Sequence, residues 1–246
     1  MGIIRMGPPN KLLLELKSRY ELKDFIETGT YYGNTAAWAA SYFDNVSTIE
    51  FSQEIYEEAL KRHGNIENIN FIFDDSRSAL KNLCSKLSRP AIFWLDSHWS
   101  GGDTYGNHDE CPLIEEIHII NMSKFTHFLL IDDGRLFTSP PPRPHRIEQW
   151  PEIDKVFEAL KSGTHQYYIV IIEDVIISVP EYAKELVSTY CQEVNTKAWI
   201  EYGERLNESA IKQGSKLIDQ GLKLIVGDVH GRLGRFVSNL IARGND

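Results

Sequence analysis

The run WLDSHWSGGDTYGNHDE, Trp94 to Glu110, sets Asp96 and His98 two residues apart, directly after the apolar AIF. A second acidic pair, Asp132 and Asp133, closes the apolar stretch in FLLIDDGR. In an open α/β sheet, side chains beyond the carboxyl ends of the strands share one crevice even when they are distant in sequence. If these two strands are neighbours, three carboxylates converge. Like charges that close raise one another's pKa, and a divalent cation neutralises them by accepting their oxygens as ligands. Strand-end aspartates also cap following helices, so the metal reading stands beside a simpler one. His98 is a candidate general base for a hydroxyl proton, because imidazole titrates near neutral pH, or a residue that orients the loop.

A third constellation is FIETGTYYGNTA, Phe25 to Ala36, in which Glu27, Gly29 and Gly33 stand between a strand and a helix. Glycines there let the chain turn sharply and let a ligand approach the backbone, while helix amides point into the opening. Glu50, at the end of STIE, offers a carboxylate that can accept both hydroxyls of a ribose. A dinucleotide-binding fold would use the same acid, but its GxGxxG fingerprint needs glycine where this chain has Tyr31. No phosphate-gripping GxxxxGK[ST] occurs.

The elements that must position these groups are legible as apolar blocks alternating with helical periodicity, the pattern of a parallel sheet with helices on both faces. Strands are expected over Phe25–Glu27, Val46–Phe51, Asn70–Asp74, Ala91–Asp96 and His127–Asp132. Helices are expected over Asn34–Tyr42, Gln53–His63, Arg77–Leu87, Leu113–Met122 and Glu152–Lys161, with a short amphipathic helix in KLLLELKSRY before the first strand. TSPPPRPHR, Thr138 to Arg146, reads as a rigid surface loop. Tyr167 to Val179 is long enough for two strands turning at Glu173 and Asp174, and Pro180 closes the sheet. The fold class is α/β: a three-layer α/β/α sandwich with a Rossmann-like, mostly parallel sheet ending in an antiparallel hairpin. Residues 1–180 are expected to form that domain, and residues 181–246 a helical extension suited to packing on the domain or on a second subunit.

The order of motifs resembles the class I S-adenosylmethionine-dependent methyltransferases, over about residues 24 to 179. Their first motif is an acid, one residue, glycine, three residues, glycine, here Glu27, Gly29 and Gly33. The resemblance implies cofactor contacts from these residues and Thr30, from Glu50 to the ribose, and from Asp75 and Ser76 to the adenine. Asp74 stands where the family commonly has glycine. The turn ETG and the paired aspartate after the fifth strand are similar to the macrocin-type sugar O-methyltransferases, which implies a magnesium-like ion on Asp96, Asp132 and Asp133. That ion would lower the pKa of an acceptor hydroxyl, with Asp96 and His98 as the catalytic pair. The family tends to carry an acid where this chain has His98.

The 246 residues are 42% apolar, enough for a sizeable core. The net charge of −9 argues against a broad grip on nucleic acid. Cys84, Cys111 and Cys191 give neither a disulfide framework nor a CxxC site, and MGIIRMGPPN has no apolar leader, so a cytoplasmic location without membrane contact is expected. GDVHG in LIVGDVHGR and GNHD look like metallophosphoesterase segments, but they occur in the wrong order and the intervening GDxxDRG is missing. Asp228 and His230 then read as ordinary tail residues. The function expected is S-adenosylmethionine-dependent methylation of a small-molecule hydroxyl, of a sugar among others, assisted by a divalent cation. The rivals are a metal-independent methyltransferase and a non-catalytic cofactor-binding protein. A homodimer through the extension fits either class.

Overall fold

The computed structural model describes residues 7–99, 109–207 and 212–223. GDVHG, GNHD apart from Asp109, and the loop residues Gly101, Gly102 and Tyr105 lie outside the described residues. The apolar spacing in KLLLELKSRY forms α1, Asn10–Tyr20, which buries Leu12, Leu13 and Leu16 along one side. Five strands follow: β1 Asp24–Thr28, β2 Asn45–Glu50, β3 Ile69–Phe73, β4 Ile92–Leu95 and β5 Phe128–Ile131. They alternate with α2 Asn34–Ala40, α3 Gln53–His63, α4 Ser76–Lys86 and α5 Leu113–Asn121. Beyond β5 come α6 Arg135–Thr138, a 3₁₀ turn over Ile147–Gln149, α7 Ile153–Lys161, β6 Tyr167–Ile172, β7 Val175–Pro180 and α8 Lys184–Asn207. The 3₁₀ turn and the four-residue α6 have no counterpart in the periodicity, because elements that short span barely one turn.

The sheet has seven strands in the order β3-β2-β1-β4-β5-β7-β6, parallel except for the pairings of β7 with β5 and with β6. IFWL and FLLI are buried at every position, as central parallel strands covered on both faces must be. Alternation sends Phe93, Leu95, Leu129 and Ile131 into one core with Leu80, Ile117 and Val156 of α4, α5 and α7. On the opposite face Phe128 meets Tyr20 of α1 at 5.4 Å between ring centroids, and Phe25 meets Phe43, beyond α2, at 5.2 Å. These contacts make the three layers.

The hairpin turns at Glu173 and Asp174, whose φ angles of 49° and 69° both lie in the left-handed region. A two-residue hairpin demands that conformation, which usually recruits asparagine or glycine. Here both side chains hold outside partners instead. Tyr190 Oη donates to Glu173 Oε2 at 2.9 Å, and Arg135 N donates to Asp174 Oδ1 at 2.8 Å.

The chain divides into two compact units, Met1–Tyr190 and Cys191–Asp246. The first extends ten residues beyond Pro180, because Val187 and Tyr190 at the start of α8 are buried. The second holds the rest of α8 and a helix over 212–223. Among the described residues no helix is long and apolar enough to cross a membrane.

Candidate active site

The ladder of the sheet continues one rung beyond its strands. Asp96 N donates to Thr28 O at 3.0 Å, and Asp132 N donates to Leu95 O at 3.1 Å. Gly29, Asp96 and Asp132 therefore stand on neighbouring chains at the same sheet edge. Gly29 has φ +84°, and a Cβ there would lie 2.0 Å from the carbonyl oxygen of Asp96. The bare backbone at Gly29 is thus demanded by the neighbouring strand end at Asp96, where the sequence pointed to a ligand. Gly33, at φ +76°, opens α2, and its Cβ would meet His63 Cδ2 at 3.0 Å.

A cleft of about 1060 Å³ lies along these strand ends. It brings together Gly29, Glu50, Asp75 and Ser76 with Asp96, His98, Asp132 and Asp133. Glu27, Thr30 and Gly33 lie outside its lining. Glu27 and Thr30 form a buried relay instead: Thr48 Oγ1 donates to Glu27 Oε2 at 2.6 Å, so the 2.6 Å contact between Thr30 and Thr48 has Thr30 as donor.

Burial pushes the Glu27 carboxyl up to about 8, against the hydroxyls that favour its charged form. In the unfolded chain the same group ionises near 4.5. The native state therefore holds the extra proton between those values, and stability falls as pH rises through that window. At about 1.4 kcal/mol per pKa unit the loss is on the order of 5 kcal/mol. Glu27→Gln should remove it. The urea midpoint of the variant, compared with wild type from pH 5 to pH 8, should show a gap that opens with pH; parallel curves would refute the assignment.

At the β2 end of the cleft Glu50 holds three backbone amides. Its Oε1 accepts the amides of Phe51 and Ser52 at 3.0 and 2.9 Å, and its Oε2 accepts that of Tyr31 at 3.0 Å. Burial still raises its pKa. Tyr31 reaches it from a left-handed conformation, φ 47°. Asp75 caps α4 through Arg77 N at 2.9 Å and pairs with Arg77 Nη2 at 2.7 Å, and that guanidinium holds its carboxyl low. Arg77 Nη1 donates to Asp109 Oδ2 at 2.6 Å, tying the start of α4 to the residues before α5.

At the other end the carboxylates crowd. Burial, and then the neighbouring Asp132, raise the Asp96 pKa well above the usual range. Burial, and then Asp133, push Asp132 up to about 7. Asp133, at φ 53°, bonds Arg135 Nη1 at 2.5 Å, and the same nitrogen reaches Asp174. His98 Nε2 lies 3.4 Å from Asp96 Oδ1 and 3.5 Å from Asp133 Oδ2. Burial lowers the His98 pKa, so its neutral form prevails near pH 7. Among the described residues no three His, Cys, Asp or Glu side chains converge in a geometry that could hold a metal ion.

Three acids that the sequence reading passed over organise the site. Glu116 of α5 is buried beneath the cleft and accepts Ser97 Oγ at 2.6 Å, with the Ser76 hydroxyl also favouring its charged form. Glu110 accepts Trp150 Nε1 at 2.7 Å and Arg146 N at 3.1 Å, while its own carbonyl accepts Trp99 N at 2.8 Å. It fastens the proline-rich segment to the chain leaving β4. Asp174 braces Arg135 from the hairpin. Glu116 carried a usable signal, since it shares a helical face with Leu113, Ile117 and Ile120; Glu110 and Asp174 carried none.

No protein-family profile and no curated protein matches the chain. Solved structures do. A candidate caffeoyl-CoA O-methyltransferase from Staphylococcus aureus aligns over 72% of this chain and 86% of its own, with a TM-score of 0.50 and 14% identity. The methyltransferase PaMTH1 from Podospora anserina, solved with S-adenosylhomocysteine bound, aligns over 72% and 80%, with a TM-score of 0.50 and 16% identity. With its 3-2-1-4-5-7-6 sheet and flanking helices, the first unit of the chain has the Rossmann-like fold of these methyltransferases.

Proposed function

We propose that the chain is an S-adenosylmethionine-dependent methyltransferase acting on a hydroxyl of a small molecule in the cytoplasm. The observation that supports it most is the cleft itself, which joins the ribose acid Glu50 to the carboxylates and imidazole at the ends of β4 and β5. The residues present fit the cofactor. Glu50 Oε1 is filled by the amides of Phe51 and Ser52, but Oε2, which accepts only Tyr31 N, keeps a lone pair for a ribose hydroxyl, and Asp75 and Ser76 flank the place the adenine would take. When bound, the cofactor supplies an electrophilic methyl on a sulfonium. The protein's part is alignment and proton removal. Neutral His98 would take the proton of the acceptor hydroxyl on a ring nitrogen, leaving that oxygen free to accept the methyl. Asp96 and Asp133, each within 3.5 Å of that ring, stabilise the imidazolium that results.

A divalent cation belongs to the same proposal. Asp96 and Asp132 are hard oxygen donors at adjacent strand ends, and burial first, then the neighbouring carboxylates, raises the pKa of both. Asp133 is engaged by Arg135, so the donor set is two carboxylates where three were expected. Such an ion would supply Lewis acidity toward the acceptor hydroxyl. A sugar acceptor is the finer reading that the resemblance carries.

Calorimetric titration with S-adenosylhomocysteine and Mg²⁺, separately and together, tests each layer on wild type and Asp132→Ala. Micromolar cofactor binding in both proteins is expected, with a Mg²⁺ response in wild type alone. Absence of cofactor binding would sink the methyltransferase reading. Binding without any Mg²⁺ response would remove the ion and leave the rest.

A further inference from the structure

We propose that this cleft takes a hydroxyl acceptor bearing an ammonium group or no charge, and rejects acceptors that carry carboxylate or phosphate. The inference rests on the methyl-transfer reading and adds the charge class of the acceptor. Among the described residues eight carboxylates line the cleft, against the two guanidiniums of Arg77 and Arg135. That formal excess of six negative charges is two thirds of the −9 carried by the whole chain. Both guanidiniums are already engaged. Arg77 bonds Asp75 and Asp109 at 2.7 and 2.6 Å, and Arg135 bonds Asp133 and Asp174. An incoming phosphate would have to displace a carboxylate from each. Arg143 and Arg146 are exposed and do not belong to the lining.

One wall of the cleft is built of rings. Trp99, Pro140, Pro142 and His145 line it, with the Trp99 and His145 rings edge to face at 5.2 Å. Ring faces attract ammonium groups as well as apolar rings. A cleft with low-dielectric walls and charges of one sign concentrates counter-ions by tenfold or more, and repels like charge correspondingly. One bound divalent cation, or protons on Asp96 and Asp132, would reduce the excess from six to four and leave its sign unchanged.

The test uses the full chain with Mg²⁺, methyl-labelled S-adenosylmethionine and three catechols that share the reacting hydroxyls: dopamine, 4-methylcatechol and 3,4-dihydroxybenzoate. The expected kcat/KM for dopamine exceeds that for dihydroxybenzoate by roughly tenfold or more, with methylcatechol between them and the gap narrowing in high salt. Equal or faster transfer to dihydroxybenzoate overturns the proposal. A second readout needs no turnover. Quenching of Trp99, taken as the difference between wild type and Trp99→Phe, should be several-fold stronger with caesium than with iodide; equal quenching, or stronger quenching by iodide, overturns the proposal. Caesium-dominated quenching without label transfer to any catechol supports the charge class and counts against hydroxyl methylation of these acceptors, so the two readings fail separately.

Discussion

Gly29→Ala should destabilise the protein by several kcal/mol and abolish binding of S-adenosylhomocysteine. Two effects add. A side chain at φ +84° costs about 1–2 kcal/mol in the left-handed region, whatever surrounds it. The new Cβ would also stand 2.0 Å from Asp96 O and 2.6 Å from Asp96 C, atoms fixed by the rung from Asp96 N to Thr28 O. Relief requires β1 and β4 to part at the strand ends that border the cleft, a backbone rearrangement of the kind that accounts for the largest single-mutant losses. Gly7 supplies the control, since it has φ +76° with nothing within 4 Å of its ideal Cβ. Gly7→Ala should lower the urea midpoint only by the conformational part, about 1 kcal/mol. If the two variants unfold at the same midpoint, the clash with Asp96 is not what makes residue 29 a glycine.

That glycine shows where sequence reading succeeds and where it changes meaning. FIETG places a glycine after a strand, and the structure puts it at the predicted strand end, facing a cleft. The reason it must be glycine is Asp96, which lies 67 positions later and becomes its neighbour only through the pairing of β1 with β4. The five parallel strands and the helices α1 to α5 and α7 were legible to within two residues because period-2 and period-3.6 burial is a local property, and Gln53–His63 was read without error, whereas α8 was read only as part of a helical tail. Strand order was not local. The convergence of Asp96 with Asp132 therefore remained conditional until β4 and β5 were found paired.

The same limit explains Asp133 and Arg135. Their spacing in DDGR allows a pair, but the competing carboxylate is Asp174, delivered by the turn between β6 and β7. The arginine withdraws Asp133 from the expected trio. Glu27 is the converse case: its motif position suggested cofactor contact, whereas its hydrogen bond goes to Thr48 inside the sheet and its burial favours the protonated form. What spacing cannot show is which side of a strand end faces the cleft.

Glu50, which the sequence offers as a ribose acid, lines the cleft, and its variants carry the second large effect expected on cofactor affinity. Glu50→Gln should weaken S-adenosylhomocysteine binding about 100-fold, roughly 2.7 kcal/mol at about 1.4 kcal/mol per decade. The chemistry sets that size. A hydrogen bond to a charged group contributes about 1.5–3 kcal/mol, and the three amides leave one acceptor site of the carboxylate, on Oε2, for a ribose hydroxyl. Glutamine keeps one acceptor oxygen, enough for Phe51 N and Ser52 N, but turns its own N–H donors toward Tyr31 N. Tyr31, in its left-handed conformation at 53% exposure, would keep its ring contact with Tyr32 and lose its amide bond to Glu50, so the turn should loosen along with the ribose contact. Glu54→Gln, a change of equal charge at another residue of the cleft, separates the specific contact from the general field and should lower affinity less than threefold. Calorimetry on the three proteins at one ionic strength decides between them. If Glu50→Gln binds as tightly as wild type, the carboxylate braces the turn alone and the cofactor lies elsewhere in the cleft; equal losses in both variants would make the effect one of net charge.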